Sequence, residues 1–342
     1  MTYNFREISV LIADSQSPII TLIGESLRLL GVPPDGLHPC KNGKTALKVF
    51  QEKKLDLLIV DWDLSDLDGL DFIKAIRNSK ENPYVPVIFM TALTTEKRVI
   101  EARDCGITEF LAKPFTVKSL SDRIEAIVER PRQFVLAPEY RGPDRRRKSQ
   151  ESYIGLERRE PRQSQDLDMT KSDVFKDQKK VRVAEFITPP NILKQKMGAG
   201  GIDTSALAMA ESYLEHNKVD FRDIGISLVY ALHEGLQNSK QVGVDSETGI
   251  ELMLYPAAQL KAQGAMFHYP FLTRIADILV TFLETVEVID SDVYKIVEAH
   301  KDGFLHILIN NITDHGGEYG KTLQQELLAA CGRYYKTRKL TP

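Results

Sequence analysis

Three short runs of almost purely apolar residues constrain the fold of this chain more than any other feature. The runs are VLIA at 10–13, LLIV at 57–60 and VIFM at 87–90. Strands buried on both faces have this composition, because helices cover both sides of the parallel sheet in which they lie. Amphipathic stretches separate the runs, and the first of them repeats isoleucine and leucine at helical spacing.

The pattern predicts a doubly wound α/β fold for the first part of the chain, with a five-stranded parallel sheet. The predicted strands are Ser9–Ala13, Leu37–Cys40, Leu57–Val60, Val85–Met90 and Thr108–Ala112.

Composition divides the remaining chain into two regions. Residues 131–201 contain 16 Lys+Arg and 10 Asp+Glu, with many Pro and Gln and few apolar residues. Such a segment buries too little apolar surface to offset its chain entropy. The last region is acidic, with 12 Lys+Arg and 19 Asp+Glu, and its apolar residues recur at helical spacing. We therefore predict an α/β domain at 1–131, a charged and largely disordered linker at 132–200, and an all-α helical bundle at 201–342. The predicted bundle helices are 203–217, 220–241, 246–263, 270–287, 290–312 and 318–335.

Several protein classes are not favoured by the sequence. No apolar run approaches the length of a membrane span, and the N-terminus lacks the pattern of a signal peptide. Three widely spaced cysteines, Cys40, Cys105 and Cys331, argue against a disulfide framework. We expect a cytoplasmic protein without membrane partners. The basic cluster at 145–148 is interpreted as solvated linker, so nucleic-acid binding is not favoured.

Polar residues of complementary charge follow the predicted strands. Asp14 comes after the first strand, Asp61 after the third, Thr91 after the fourth and Lys113 after the fifth. The carboxyl ends of parallel strands meet at one edge of a sheet, so these side chains are expected to converge. Carboxylates, a hydroxyl and an ammonium are groups that suit phosphoryl transfer to a carboxylate, which depends on positioning and charge neutralisation.

Four motifs in register resemble the receiver domains of bacterial two-component response regulators. They are VLIAD (10–14), LIVDWDLSDLDG (58–69), VIFMTA (87–92) and FLAKPF (110–115). The resemblance implies a flavodoxin-like fold for this domain, and it leaves the C-terminal region unassigned.

The resemblance also implies residue roles. Asp61 would be the phosphoacceptor, with Lys113 pairing with the phosphoryl group and Thr91 contacting it. Thr91 and Phe110 would form the conformational switch. Mg²⁺ would be held by Asp14, Asp61 and the backbone carbonyl of Asp63.

One departure from the family bears directly on the metal. The family usually has two adjacent acids after the first strand, and here the second position is Ser15. A hydroxyl is a weaker ligand than a carboxylate for a hard cation. We therefore expect lower metal affinity, and we keep open whether phosphorylation is efficient.

The function expected from these features is that of a response regulator in a phosphorelay. A sensor histidine kinase or phosphotransfer protein would phosphorylate Asp61, and the helical domain would signal through an unknown downstream protein, with homodimerisation left open. No motif of an enzymatic output domain is found, so no enzyme activity beyond self-catalysed phosphoryl transfer is expected. Two alternatives remain: a phosphorylation-independent scaffold or dimerisation module, and a relay protein with a phosphohistidine at His300.

Overall fold

The computed structural model describes residues 1–93, 95–137, 140–145, 184–217 and 219–338. The N-terminal α/β domain is built on a parallel sheet of five strands in the order β2-β1-β3-β4-β5. Its strands are β1 (Val10–Ala13), β2 (Leu37–Cys40), β3 (Leu57–Asp61), β4 (Val87–Thr91) and β5 (Glu109–Ala112). Every residue of β1, β3 and β4 is buried, as the apolar runs predicted. This confirms the predicted doubly wound fold.

Five helices cover the two faces of this sheet: α1 (Ser17–Leu29), α2 (Gly43–Glu52), α3 (Gly69–Arg77), α4 (Glu96–Cys105) and α5 (Val117–Glu129). Polar side chains begin several of them. Asn42 accepts a hydrogen bond from the backbone N–H of Thr45 at the start of α2. Thr116 and Ser119 form a reciprocal capping box at the start of α5. These caps satisfy backbone donors that the first helical turn leaves unpaired.

The predicted linker contains regular structure in its described parts, which corrects the expectation of a largely disordered segment there. Strands β6 (Phe134–Ala137), β7 (Tyr140–Pro143) and β8 (Glu185–Ile187) form an antiparallel sheet in the order β7-β6-β8. Helix α6 (Ile192–Met197) follows. Phe134 is buried, and its ring centroid lies 5.3 Å from the guanidinium of Arg77. The small sheet is therefore packed on the α/β domain. The predicted disorder of residues 146–183 lies outside the described residues.

The C-terminal helical domain consists of α7 (Thr204–Glu215), α8 (Arg222–Asn238), α9 (Ser246–Met266), α10 (Pro270–Glu284), α11 (Ser291–Ile309) and α12 (Gly317–Arg338). The six helices confirm the predicted all-α region, and no predicted end is wrong by more than three residues. The three cysteines are free thiols. Across the described ranges, no helix is long and apolar enough to cross a bilayer.

The α/β domain and the helical domain share a continuous apolar core. Helix α7 packs against α1 and α5. The carboxylate of Glu211 on α7 accepts a hydrogen bond from the backbone N–H of Lys118 at 2.6 Å. Just before α7, the carbonyls of Met197 and Gly201 accept hydrogen bonds from the backbone N–H groups of Asn4 and Tyr3. The helical domain is thus docked onto the α/β domain rather than tethered to it.

Candidate functional site

The sheet brings the predicted site residues to one edge. Asp14 directly follows β1, Asp61 and Thr91 are the last residues of β3 and β4, and Lys113 directly follows β5. Pairing of the parallel strands aligns these positions, since Ala13 pairs with Val60 and Asp61 with Met90. The convergence expected from the sequence is therefore present in the structure.

Lys113 lies between two buried carboxylates. Its Nζ is 2.8 Å from Oδ2 of Asp14 and 2.7 Å from Oδ1 of Asp61. The three residues are 4%, 0% and 2% exposed, respectively. Charged groups are rarely buried to this degree unless they are paired. The two carboxylates and one ammonium leave a net negative charge next to the end of β3.

Burial controls the protonation of this cluster. It raises the pKa of Asp61, and the nearby carboxylates of Asp14 and Asp63 raise it further, while the ammonium of Lys113 acts in the opposite direction. For Lys113, burial lowers the pKa, but Asp14 and Asp61 outweigh it and hold the pKa above its ordinary value. Lys113 therefore stays charged, which keeps a cation beside the Asp61 carboxylate.

Gly69 permits the close turn that positions Asp61. A Cβ atom at residue 69 would lie 2.4 Å from the backbone oxygen of Asp61 and 2.7 Å from that of Trp62. Both distances are shorter than real Cβ contacts allow. Only glycine lets the start of α3 approach the end of β3 this closely. Gly69 is the first residue of α3.

Thr91 and Phe110 occupy the positions predicted for a switch. The hydroxyl of Thr91 accepts a hydrogen bond from the backbone N–H of Leu93 at 3.1 Å, and lies 3.2 Å from the carbonyl of Leu93. Phe110 is half-buried and packs on the apolar cluster beneath the sheet. A single conformation is described, so their coupled movement stays a prediction.

The donor set fits Mg²⁺. Asp14 and Asp61 supply two carboxylates side by side, and hard oxygen ligands are those that Mg²⁺ prefers. The side chain of Asp63 is turned to the loop, where it accepts a hydrogen bond from the backbone N–H of Ser65 at 3.0 Å. The predicted ligand at residue 63 is the backbone carbonyl, which does not depend on this side-chain bond. Ser15 is half-buried at the position of the usual second acid. Within the described ranges, no cluster of three His, Cys, Asp or Glu side chains forms a metal site.

The sequence did not identify Tyr255, which comes from the helical domain. A cavity of about 460 Å³ lies beside the site and is lined by Trp62, Asp63, Ser65, Asp66, Leu67, Asp68, Arg98 and Tyr255. Of these residues, only Tyr255 belongs to the C-terminal domain. No motif surrounds it, because its position depends on how two domains dock, and spacing along the chain does not encode that.

Tyr255 is partly buried and held by a neighbour on its own helix. Nε2 of Gln259 donates a hydrogen bond to the Tyr255 hydroxyl at 2.7 Å. Burial raises the pKa of Tyr255, and the carboxylates of Asp61, Asp63 and Asp14 raise it further. The phenol is therefore protonated at neutral pH.

His300 is not placed to accept a phosphoryl group, which corrects the relay alternative. It is 0% exposed, and its Nδ1 lies 2.8 Å from the carbonyl of Ile296. Burial lowers its pKa to about 4. A receiver cannot reach a side chain with no accessible surface, so His300 is a core residue of α11.

The basic cluster of the linker is described only at its first residue. The guanidinium of Arg145 lies 4.1 Å from the ring centroid of Tyr140, and forms an ion pair of 3.3 Å with Asp104. Residues 146–148 lie outside the described residues. Arg145 thus has partners within the protein itself.

Comparison with known proteins assigns the α/β domain. The family model described as the response regulator receiver domain matches residues 10–125. Chemotaxis protein CheY-3 of Vibrio cholerae is 30% identical over 125 residues, which cover 36% of this chain and 95% of that protein. Chemotaxis protein CheY of Pseudomonas aeruginosa is 32% identical over 123 residues, covering 36% and 98%. The crystallised CheY4 of Vibrio cholerae matches with 24% identity and a TM-score of 0.34, covering 36% of this chain and 99% of that one.

Proposed function

This chain belongs to the response regulator receiver family of two-component signalling, and from that premise we propose that Asp61 is its phosphoacceptor. A sensor histidine kinase or a phosphotransfer protein donates the phosphoryl group, and Mg²⁺ assists. The C-terminal helical domain transmits the phosphorylation state through protein–protein contacts.

The position of Lys113 is the observation that carries this proposal. One buried ammonium lies within 2.8 Å of two buried carboxylates at the carboxyl edge of the sheet. A structural ion pair needs one carboxylate, and a second one adds a burial cost without adding a counter-charge. A divalent cation beside the two carboxylates would compensate the excess negative charge, and Lys113 would then be available to pair with a phosphoryl group on Asp61.

Each residue of the site has a separate role in the proposed phosphoryl transfer. The Asp61 carboxylate attacks the phosphorus, and the bond from phosphorus to the donor histidine nitrogen breaks. The donor imidazole keeps that electron pair and takes up a proton. Lys113 neutralises charge on the phosphoryl oxygens, and the Thr91 hydroxyl turns from Leu93 to donate to one of them. Asp14, Asp61 and the carbonyl of Asp63 would hold Mg²⁺, which would supply further charge neutralisation.

The output proposed for the helical domain is binding rather than catalysis. Its helices pack on the receiver through α7 and present an acidic α9 segment to α4, where Lys97 pairs with Glu247 at 2.7 Å. Because the domain contacts the receiver directly, a change in the receiver alters the surface that the domain offers to a partner. The only chemistry proposed for the protein is its own phosphorylation.

Intact-mass spectrometry after incubation with acetyl phosphate and Mg²⁺ tests the proposal. We expect the mass to rise by one phosphoryl group, and the gain to disappear in Asp61→Asn. The matched control is Asp63→Asn, which changes an adjacent carboxylate but keeps the backbone carbonyl, and it should retain the gain. Absence of any gain at saturating donor would contradict the proposal.

A second candidate function is a phosphorylation-independent scaffold, which Ser15 favours because it removes one expected metal ligand. The scaffold requires the docked arrangement of the two domains but no chemistry at Asp61. The same experiment separates the two candidates: the scaffold predicts no phosphoryl gain in the wild-type chain. It also predicts that Asp61→Asn leaves every partner interaction unchanged.

A further inference from the structure

Tyr255 is a residue of the helical domain that lies in the receiver's own acidic cavity. The cavity walls include Trp62 and Asp63, the two residues that directly follow Asp61. A phosphoryl group on Asp61 would therefore form next to this cavity. Tyr255, on α9, also lines this cavity.

The hydrogen bonding along α9 leaves the phenol proton uncommitted. Nε2 of the buried Gln263 donates to Oε1 of Gln259 at 3.0 Å, and Nε2 of Gln259 donates to the Tyr255 hydroxyl at 2.7 Å. In both bonds the donated N–H proton points toward Tyr255, which lines the cavity. Tyr255 thus accepts one hydrogen bond, and its own O–H has no acceptor among the described residues.

The cost of this arrangement argues for a role. Gln259 and Gln263 are 3% and 0% exposed within an otherwise apolar core. Burying amide groups is unfavourable unless they are hydrogen-bonded, and Oε1 of Gln263 has no partner within the described ranges. Apolar side chains would pack here without that cost. What the two amides achieve is a fixed orientation of the Tyr255 hydroxyl.

We propose that Tyr255 binds the phosphoryl group on Asp61, its hydroxyl donating a hydrogen bond to a phosphoryl oxygen across the cavity. This inference rests on the proposed function, since it requires that Asp61 be phosphorylated. It makes Tyr255 the residue through which the helical domain reads the receiver's state.

Ion pairs also connect α9, the helix of Tyr255, to α4 of the receiver. Glu247 and Glu251 on α9 pair with Lys97 at 2.7 and 3.5 Å, and Arg98 lies 3.9 Å from Glu251. These ion pairs link α9 to the first turn of α4, whose Arg98 lines the same cavity as Tyr255. Binding free energies couple reciprocally, so a hydrogen bond from Tyr255 that stabilises the phosphorylated receiver equally stabilises α9 in its docked position.

Beryllofluoride titration of the full-length chain tests the inference, because beryllium trifluoride binds an aspartate carboxylate in place of a phosphoryl group. Trp62 is the single tryptophan and lines the cavity, so its fluorescence reports binding. Fluorine NMR measures occupancy independently of that probe. A hydrogen bond to a charged group predicts that Tyr255→Phe weakens beryllofluoride binding about tenfold or more in the presence of Mg²⁺.

The controls separate this inference from its alternatives. Tyr230→Phe removes a hydroxyl from an exposed tyrosine on α8 and should bind as the wild type does. Tyr255→Ala distinguishes a hydrogen-bond donor from a side chain that only blocks access to Asp61. If Tyr255 is a donor, Tyr255→Ala should bind beryllofluoride more weakly. If Tyr255 only blocks access, Tyr255→Ala should bind beryllofluoride more tightly or faster.

The outcomes also separate the inference from the proposed function. If the wild type does not bind beryllofluoride, or if Asp61→Asn binds as well as the wild type, the proposed function fails and the inference with it. If binding depends on Asp61 but Tyr255→Phe equals or exceeds the wild type, the inference alone is wrong.

Discussion

At the scale of single residues, the site depends on charges that are almost completely buried. Asp14, Asp61 and Lys113 are each at most 4% exposed, so each depends on the others for compensation. Ser15 is the one position near them where a charge expected from the family is missing. A single substitution that restores an acid at residue 15 should therefore change the metal affinity of the site.

Ser15→Asp should strengthen Mg²⁺ binding. A carboxylate within about 4 Å of a divalent cation gains roughly 1–2 kcal/mol even in water, which corresponds to about a tenfold increase in affinity. The measurement is a Mg²⁺ titration followed by Trp62 fluorescence. Ser17→Asp, at an exposed serine two residues away, is the matched control and should change little. Equal affinities for wild type and Ser15→Asp would show that residue 15 does not face the metal.

His300 should make the stability of the helical domain depend on pH. Its folded pKa of about 4 is below the ordinary value of 6.5, so between these values the unfolded chain binds a proton that the folded chain does not. Stability is therefore complete above pH 6.5 and falls as the pH drops toward 4. Between pH 7 and pH 5 the free energy of unfolding should fall by roughly 2 kcal/mol, because one unit of pKa difference corresponds to about 1.4 kcal/mol.

Denaturant unfolding at pH 7 and pH 5 measures this effect. His300→Leu should abolish the part of the pH dependence that is due to His300. Phe304→Leu, at a buried and non-titrating neighbour on α11, should cost about 1 kcal/mol at both pH values and keep the wild-type slope. An unchanged slope in His300→Leu would rule out the buried imidazole as its source.

At the scale of secondary-structure elements, the sequence correctly predicted those strands and helices that depend on the local spacing of apolar residues. The buried strands and the six C-terminal helices follow from apolar periodicity, and the structure reproduces them. The strands β6, β7 and β8 all escaped prediction, because they lie in a segment of charged composition, β8 pairs with β6 across a long stretch of chain, and the sheet is positioned by tertiary packing. Phe134 shows why: its burial depends on Arg77 and Tyr84 of the α/β domain, which no pattern near residue 134 reveals.

Gly69→Ala should disrupt the turn between β3 and α3. The added Cβ would meet two backbone oxygens at 2.4 and 2.7 Å, and backbone cannot rotate aside as a side chain can. We expect a loss of about 1–3 kcal/mol in the free energy of unfolding, together with slower phosphorylation of the displaced Asp61.

Gly332→Ala is the same substitution at a position with room for the added methyl group, and we expect it to stabilise the chain where Gly69→Ala destabilises it. Gly332 lies in α12 with open space around it, so alanine should stabilise the chain by about 0.5–1 kcal/mol. Denaturant unfolding of both variants makes the comparison. Equal effects of the two substitutions would contradict the close-approach explanation for Gly69.

At the scale of the whole molecule, the two domains behave as one packed unit, and this determines which parts of the site the sequence could reveal. Asp14, Asp61, Thr91 and Lys113 were predictable because sheet topology aligns strand ends. Tyr255 was not, because it reaches the site through the docking of α7 and α9 onto the receiver. The interface itself is therefore open to test.

Ala210→Glu should separate the domains. Ala210 is fully buried on α7, which packs against α1 and α5, so a carboxylate there would be buried without a partner. Small-angle scattering should show an increased radius of gyration, with helical content retained in circular dichroism. Met209→Glu, at the exposed neighbouring position, is the control and should stay compact. A compact Ala210→Glu variant would argue against the docked arrangement.

The central claim is that phosphate is carried on Asp61. Borohydride reduces an aspartyl phosphate to homoserine, and peptide mass spectrometry locates the converted residue. After incubation with acetyl phosphate and Mg²⁺, we predict conversion at residue 61 and at no other aspartate. Conversion at Asp14 or Asp63 in place of Asp61, or none at saturating donor, would contradict the claim.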